Sequence, residues 1–418
     1  MDQEPEPLWP MPKGFYALIA AQFASGLADN ALMILGVYFL QEQGYPGWWA
    51  PLLKFSFNLA YVVLASVVGP LADAVGKGHL MAAMNVLKLG SVLMLLLGLH
   101  PLLAFALTGL AAAVYAPAKY GIVTESVSSA LLVKANAWLE VSVVMSVLLG
   151  IALGGWLTAS TPAVQGWVQL PLDAQGWLVH TQVLPAFLVV VLIYGCSILL
   201  NGWIGKAMAC TSVYPITRTS FAWRSFWASH LTLWRDPLGS VSLYVTTLFW
   251  GAGAVLQFVV LLWAQKEMGL SLQQGAYLQA LVAVGVVCGA ILAAKCFKIF
   301  AARGVLPWGF LLAFLMPVMA WTKALWLAVP LLILAGLIAG LMLVPMNALL
   351  QQRGAKLLSA GRSIAVQGFN ENLSVLIMLG AYSGLLALEA TLPVIMLALG
   401  LLLFIGLLFL FYRMKRRH

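Results

Sequence analysis

Twelve apolar stretches of about 18–27 residues divide this chain, with limits near 14–40, 52–74, 79–99, 101–123, 136–158, 183–204, 239–265, 275–297, 305–322, 325–349, 363–388 and 391–412. At about 1.5 Å of rise per residue, a helix of that length crosses the roughly 30 Å of bilayer hydrocarbon. Backbone N–H and C=O groups in hydrocarbon must be paired within the segment, so stretches of this length imply helices. Composition supports the same solvent. Of the 418 residues, 63% are apolar and 8% charged, whereas a soluble domain carries about 25% charged residues. That is too little charge to clothe a surface facing water. Four cysteines are too few for a disulfide framework: Cys196, Cys288 and Cys296 lie in apolar runs and Cys210 in a basic loop.

The formal net charge of +9 is a topology signal rather than a nucleic-acid footprint. With the N-terminus inside, 17 of the 22 Lys and Arg residues fall on the cytoplasmic side, three (Lys54, Lys266, Lys323) outside, and two, Lys88 and Lys119, within spans. Both termini are therefore expected in the cytoplasm. Residues 1–12 are acidic and proline-rich, unlike the basic start of a cleavable signal peptide. The expected organisation is a cytoplasmic tail (1–13), a six-helix bundle (14–204), a cytoplasmic linker (205–238), a second six-helix bundle (239–412) and a basic tail (413–418). The linker contains AWRSFWASHLTLWRD, whose mixture of Trp, Phe and Arg reads as an interfacial amphipathic helix.

The two halves share a short internal repeat. Late span 4 reads APAKYGIV and span 5 opens with NAWLE; late span 10 reads VPMNALL and span 11 opens with QGFNE. Pro117 matches Pro345, Lys119 matches Asn347, Trp138 matches Phe369, and Glu140 matches Glu371. An all-α membrane protein of twelve helices in two parallel six-helix repeats resembles the major facilitator transporters. The loop between spans 2 and 3, GPLADAVGKGHL, is similar to that superfamily's signature through Gly69, Asp73, Gly76 and Lys77. Gly69 allows close helix approach, Asp73 can cap a neighbouring helix N-terminus, and the Gly-Lys-Gly turn reverses the chain. Ala74 and Gly78 stand where the signature has basic residues.

Charged side chains within spans mark cavities or ion pairs. Asp29, about 15 residues into span 1, is too deep to reach the interface, and the Asp29-Asn30 pair follows Gly26 in SGLADNALM. Its alternatives are a role in transport or a buried pair with Lys88 or Lys119. Lys119 follows Pro117 near the cytoplasmic end of span 4 and has snorkelling as its alternative. Lys88 in span 3 is expected to be a structural partner. Glu140 and Glu371 lie in the first turns of their helices, where negative charge is favourable in any case. Asn370, Asn372 and Gln367 surround Glu371, a cluster that is costly in lipid unless it lines water or substrate.

AAQFASGLADNALM, GPLADAVGKG, YAPAKYGIVTE, LVKANAWLE, TLFWGAGAVLQF, VPMNALLQQRG and AVQGFNEN together resemble the bacterial lysophospholipid transporters from about residue 14 to the C-terminus. That resemblance implies an inner-membrane flippase without ATP. Such a flippase carries lysophosphatidylethanolamine and related lysophospholipids from the outer to the inner leaflet, where a cytoplasmic acyltransferase/acyl-carrier-protein synthetase reacylates them. On the residues' own chemistry, Asp29, Asn30, Lys119, Gln257, Asn347, Asn370 and Glu371 are expected to be substrate-binding, and Gly69, Asp73, Gly76, Lys77, Lys88 and Glu140 gating or structural. Gln257 occupies a place where the family carries a basic residue, so phosphate binding would rest more heavily on Lys119. Gly150–Gly154, Gly285–Gly289, Gly336–Gly340 and Gly380–Gly384 have the spacing of close-packed helices. No cofactor, metal or nucleic acid is expected, and a monomer is the expected state. A membrane-embedded acyltransferase is disfavoured because none of the five histidines has an Asp four or five residues on. The competing transport reading is a proton-coupled drug or solute carrier of the same fold, with Asp29, Glu140 or Glu371 as its proton site.

Overall fold

Long apolar runs punctuated by Pro, Gly and single polar caps dictate where the helices start and stop. The computed structural model describes residues 11–12, 14–42, 44–45, 49–159, 184–207, 223–270, 272–297 and 299–415. The expected N-terminal tail, the external loop 160–183, Cys210 and most of the central linker lie largely or wholly outside the described residues. Fourteen α-helices occur among the described residues, with no strand. They are α1 (Phe15–Glu42), α2 (Trp49–Val63), α3 (Ala65–Ala74), α4 (Lys77–Leu96), α5 (Pro101–Ser126), α6 (Leu132–Ala159) and α7 (Leu184–Ala207). There follow α8 (Trp223–Arg235), α9 (Pro237–Met268), α10 (Leu272–Cys296), α11 (Leu306–Ala320), α12 (Leu325–Leu357), α13 (Ala360–Ala387) and α14 (Leu392–Lys415).

Local chemistry sets the ends. Asp236 caps α9 by accepting the Gly239 N–H at 2.7 Å, and Pro237 fills the first helical position, where no N–H is needed. Gly269 ends the same helix in the left-handed region at φ 64°, which glycine adopts without steric cost.

All twelve apolar stretches fall on helices, the second of them on α2 and α3 together, which bend by 67° about Leu64. Ten described helices are long and apolar enough to cross a membrane, or eleven with the bent pair counted as one span. The chain is thus a multi-pass membrane protein. The remaining helix of spanning length, α13, has 28 residues but carries the Gln367–Asn372 polar run that lowers its hydropathy.

Two compact units make up the chain. The first comprises Met1–Leu132, Met145–Ser225 and Ala360–Ala365; the second comprises Val133–Val144, Phe226–Ser359 and Val366–His418. The core of the first is built from Leu32, Leu35, Phe39, Leu53, Phe105 and Phe187, each at most 2% exposed. The core of the second includes Val259, Trp263, Met319, Leu332, Met342 and Met396.

Small residues bring helices together within each unit. A Cβ on Gly150 would lie 2.7 Å from the Asn30 Cβ, and one on Gly154 would lie 2.9 Å from the Ala31 carbonyl oxygen, so α6 meets α1 there. In the second unit, Gly285 and Gly289 of α10 face Gly336 and Gly340 of α12, and a Cβ at Gly289 would meet the Leu341 nitrogen at 2.8 Å. Gly380 and Gly384 differ: nothing lies within 4 Å of a Cβ at either, so their spacing makes no close helix crossing. Spacing specifies a face of a helix, and only packing decides whether that face has a neighbour.

Candidate functional site

The deepest charges of the first unit form one hydrogen-bonded set. Lys88 Nζ lies 2.6 Å from Asp29 Oδ2 and 2.9 Å from Ser25 Oγ. The Tyr194 hydroxyl donates to Asp29 Oδ1 at 2.6 Å. Ser25 in turn donates to Asn85 Oδ1, Asn85 Nδ2 donates to Ser197 Oγ, and Ser197 donates to the Ala21 carbonyl, each at 2.8 Å. The ammonium also sits over two aromatic rings, 5.3 Å from the centre of Tyr115 and 5.8 Å from that of Tyr194. Lys88 is 1% exposed, while the Asp29 side chain keeps 18% exposure. Of the two partners open to Asp29, the structure supplies Lys88. Asn30, by contrast, turns back to donate to the Gly26 carbonyl at 2.8 Å.

Lys119 on α5 is buried and donates to Gln22 Oε1 at 3.1 Å, with its Nζ 4.4 Å from the centre of the Tyr120 ring. Gln22, Ser25 and Asp29 follow one another at helical spacing, so α1 presents a single polar stripe. Asn85 with Lys88 on α4, and Tyr194 with Ser197 and Asn201 on α7, repeat the pattern. Gln22, Ser25, Asn85, Tyr194, Ser197 and Asn201 carry no charge, and their three-to-four-residue spacing is the only sign of them in the sequence. Tyr115 and Asn201 place further polar atoms beside the ion pair, and the buried Ser91 hydroxyl has no hydrogen-bond partner among the described residues.

The loop between α3 and α4 is tied down on both sides. Asp73 Oδ1 accepts the Gly361 N–H in the first turn of α13 at 2.8 Å. Gly69 allows that approach, since a Cβ there would lie 2.9 Å from the Arg362 Cα. Gly76 precedes α4, and Lys77, 2% exposed, pairs with Glu125 at 2.9 Å. Glu125 is thus the counter-ion of Lys77 in the fold.

In the second unit, Gln367 Nε2 donates to Asn347 Oδ1 at 2.9 Å and to Glu371 Oε1 at 2.7 Å. The repeat partner of Glu371, Glu140 on α6, is buried and within electrostatic range of it. Asn370 faces elsewhere: it donates to the Val366 carbonyl at 2.7 Å and meets His230 Nε2 at 3.3 Å. Asn136 and Gln351 exchange amide hydrogen bonds at 2.9 and 2.8 Å. Gln257 on α9 is exposed, and its backbone carbonyl accepts from Gln279 Nε2.

The helix read from AWRSFWASHLTLWRD is present as α8 and is amphipathic. Phe226, Ser229 and Leu233 are buried, while Trp223, Trp227 and Leu231 are exposed. Phe226 and Trp227 pack edge-on against Phe369 at 5.2 and 5.8 Å. Burial lowers the pKa of His230, against the opposing effect of Asn370, and its Nε2 lies 3.1 Å from the Trp234 indole nitrogen. Arg353 grips the Asp236 cap through two guanidinium nitrogens, one of them Nε at 3.0 Å.

The first unit holds a buried cation, Lys119, and a compensated ion pair; the second holds a carboxylate presented by amides.

The model of the Major Facilitator Superfamily matches residues 18–377. The protein named lysophospholipid transporter LplT from Klebsiella pneumoniae (strain 342) is 37% identical over 395 residues, covering 93% of this chain and 92% of that protein. The one of the same name from Yersinia enterocolitica is 37% identical over 378 residues, covering 89% and 87%. Among solved structures, the E. coli fucose:proton symporter FucP superposes with a TM-score of 0.70 at 15% identity, covering 96% of this chain and 98% of that one. The human organic anion transporter MFSD10 superposes with a TM-score of 0.70 at 15% identity, covering 96% and 100%. At such identities these two likenesses concern the fold alone.

Proposed function

Because the chain belongs to the Major Facilitator Superfamily and, within it, to the family of the lysophospholipid transporters, we propose that it carries lysophospholipids between the leaflets of a bacterial inner membrane. In this reading lysophosphatidylethanolamine and related lipids move from the outer to the inner leaflet by alternating access, without ATP. A cytoplasmic acyltransferase/acyl-carrier-protein synthetase then restores the second acyl chain. Both chain termini face the cytoplasm.

The observation that carries the proposal is the buried Lys119 ammonium, held by Gln22 at 3.1 Å in a helix that must lie in lipid. A lysophospholipid has one acyl chain, which can stay in hydrocarbon, and a phosphate that needs a cation along its path. Lys119 in the first unit supplies that cation, with Gln22 fixing its direction. Glu371 in the second unit, presented by Gln367 and Asn347, takes the ammonium of an ethanolamine head group. Asp29 is assigned to the ion pair with Lys88, and Asp73, Lys77, Gly69 and Gly76 to the loop that steadies the conformational cycle.

Leaflet-resolved uptake of labelled lysophosphatidylethanolamine by spheroplasts lacking their own transporter tests the reading. Uptake that persists with a protonophore supports facilitated lipid movement, and uptake that collapses supports the proton-coupled carrier. Cysteines placed at Lys266 and Arg218 should label from opposite sides of the membrane.

A further inference from the structure

The hydrogen bonds around Lys88 have only one consistent direction. The Ala21 carbonyl can only accept, so Ser197 donates to it and must accept from Asn85 Nδ2. Asn85 therefore turns Oδ1 toward Ser25, Ser25 donates to that oxygen, and the free lone pair of Ser25 faces Lys88 Nζ. On the other side, the Tyr194 hydroxyl donates to Asp29 Oδ1 and leaves Oδ2 to the ammonium. The faces of Tyr115 and Tyr194 complete the enclosure with their negative quadrupoles. Every group around Nζ is thus oriented to receive a cation bearing N–H bonds. Because the chain of donors ends on a backbone carbonyl, it cannot reverse.

From this we infer that Asp29, Ser25, Tyr115 and Tyr194 form an alkylammonium-binding site whose resident ligand is the chain's own Lys88. The site belongs to the first unit, is independent of the head-group contacts proposed above, and can be tested without any assumption about the transported lipid. The ion pair neutralises Asp29 within the bilayer, where a lone carboxylate would be far more costly than the pair. A lipid ammonium reaches Asp29 only by displacing Lys88. The 18% exposure of the Asp29 side chain gives a small free ion its way in once the lysine is shortened.

Lys88→Ala removes three methylenes and the ammonium, the four heavy atoms of n-propylammonium. In the purified full-length protein in detergent, Lys88→Ala should lower Tm by roughly 5–10 °C, since it leaves a buried carboxylate without its partner. About 50 mM n-propylammonium should recover at least half of that loss by mass action. Tetramethylammonium, which has no N–H, and 1-propanol, which has no charge, should recover none, and the wild-type protein should respond to none of the three. The double variant Asp29→Asn/Lys88→Ala should be indifferent to propylammonium. Equal recovery by propylammonium and 1-propanol would reduce the effect to cavity filling and overturn the inference, as would no recovery at all. If Lys88→Ala does not accumulate in membranes, growth with propylammonium becomes the assay. Accumulation only in its presence supports the site, and absence with every additive overturns it.

Discussion

Asp73 and Gly361 lie 288 positions apart, yet the Asp73 carboxylate accepts the Gly361 N–H at 2.8 Å in the first turn of α13. Carboxylates are favourable there because the first N–H groups of a helix lack partners and the helix dipole is positive. The contact needs glycine on both sides: a Cβ on Gly361 would lie 2.7 Å from the Gly69 carbonyl oxygen.

Asp73→Ala is expected to remove this cap and cost about 1 kcal/mol, or roughly 2–4 °C in Tm. Gly361→Ala should cost at least as much, because its Cβ would clash with both the Asp73 carboxylate and the Gly69 carbonyl oxygen. Thermal melts of the two variants beside wild type check this. A wild-type Tm for Gly361→Ala would show that the two segments can part without loss.

The Asp236 cap predicts a pH dependence of known sign. Burial by itself would raise the carboxyl pKa, but Arg353 and the Gly239 N–H outweigh it and hold the group below its ordinary 3.8. A folded-state pKa lower than the unfolded one contributes stability that is complete above the unfolded value and is lost as pH falls through the folded one. Asp236 should therefore add nothing to the slope of Tm between pH 8 and 5, and should contribute to the fall below about pH 4. In Asp236→Ala that part of the acid limb should be shallower than in wild type.

Glycine spacing gives a third test. Gly289→Leu drives a side chain into the α12 backbone and should abolish accumulation in membranes, since no rotamer relieves a clash that starts at Cβ. Gly384→Leu meets open space at Cβ and should accumulate normally. Quantitative blots of both variants decide the matter.

Much of the fold was legible because the bilayer enforces it. Twelve apolar stretches became helices, and Asp73, in the last turn of α3, caps a neighbouring helix N-terminus as its type and place implied. The partner of Asp29 was not legible, because spacing assigns Asp29 to a face of α1 but does not say whether Lys88 or Lys119 is opposite. Gln22, Tyr194 and Ser197 are illegible for a different reason. They carry no charge, and a lone amide or hydroxyl in an apolar run is unremarkable until the stripes on three helices meet. Glu125 stands 48 positions from Lys77, and no spacing in the sequence says that the two meet.

Lys119→Ala should reduce lysophosphatidylethanolamine uptake more than tenfold without loss of protein from the membrane, since a hydrogen bond to a charged group is worth about 1.5–3 kcal/mol. Gln22→Leu should have a smaller effect, because the cation remains but its direction is no longer fixed. Equal and small effects would return Lys119 to an interfacial role.

Glu371 offers the sharpest test of the head-group assignment. Its carboxylate accepts from Gln367, which also donates to Asn347, so the amide is anchored and one carboxylate oxygen is spoken for. A head-group ammonium would compete there with the Thr246 side chain, forming a charge-assisted hydrogen bond in a low-dielectric setting. Gln is nearly isosteric with Glu, so Glu371→Gln removes the charge while disturbing packing little. The variant should lose several-fold more uptake of the zwitterionic ethanolamine lipid than of an anionic lysophosphatidylglycerol, whose head group carries no ammonium. Paired uptake assays of the two lipids in the same spheroplasts give the ratio directly. If both fall by the same factor, Glu371 acts on the conformational cycle, and the ammonium contact must be withdrawn.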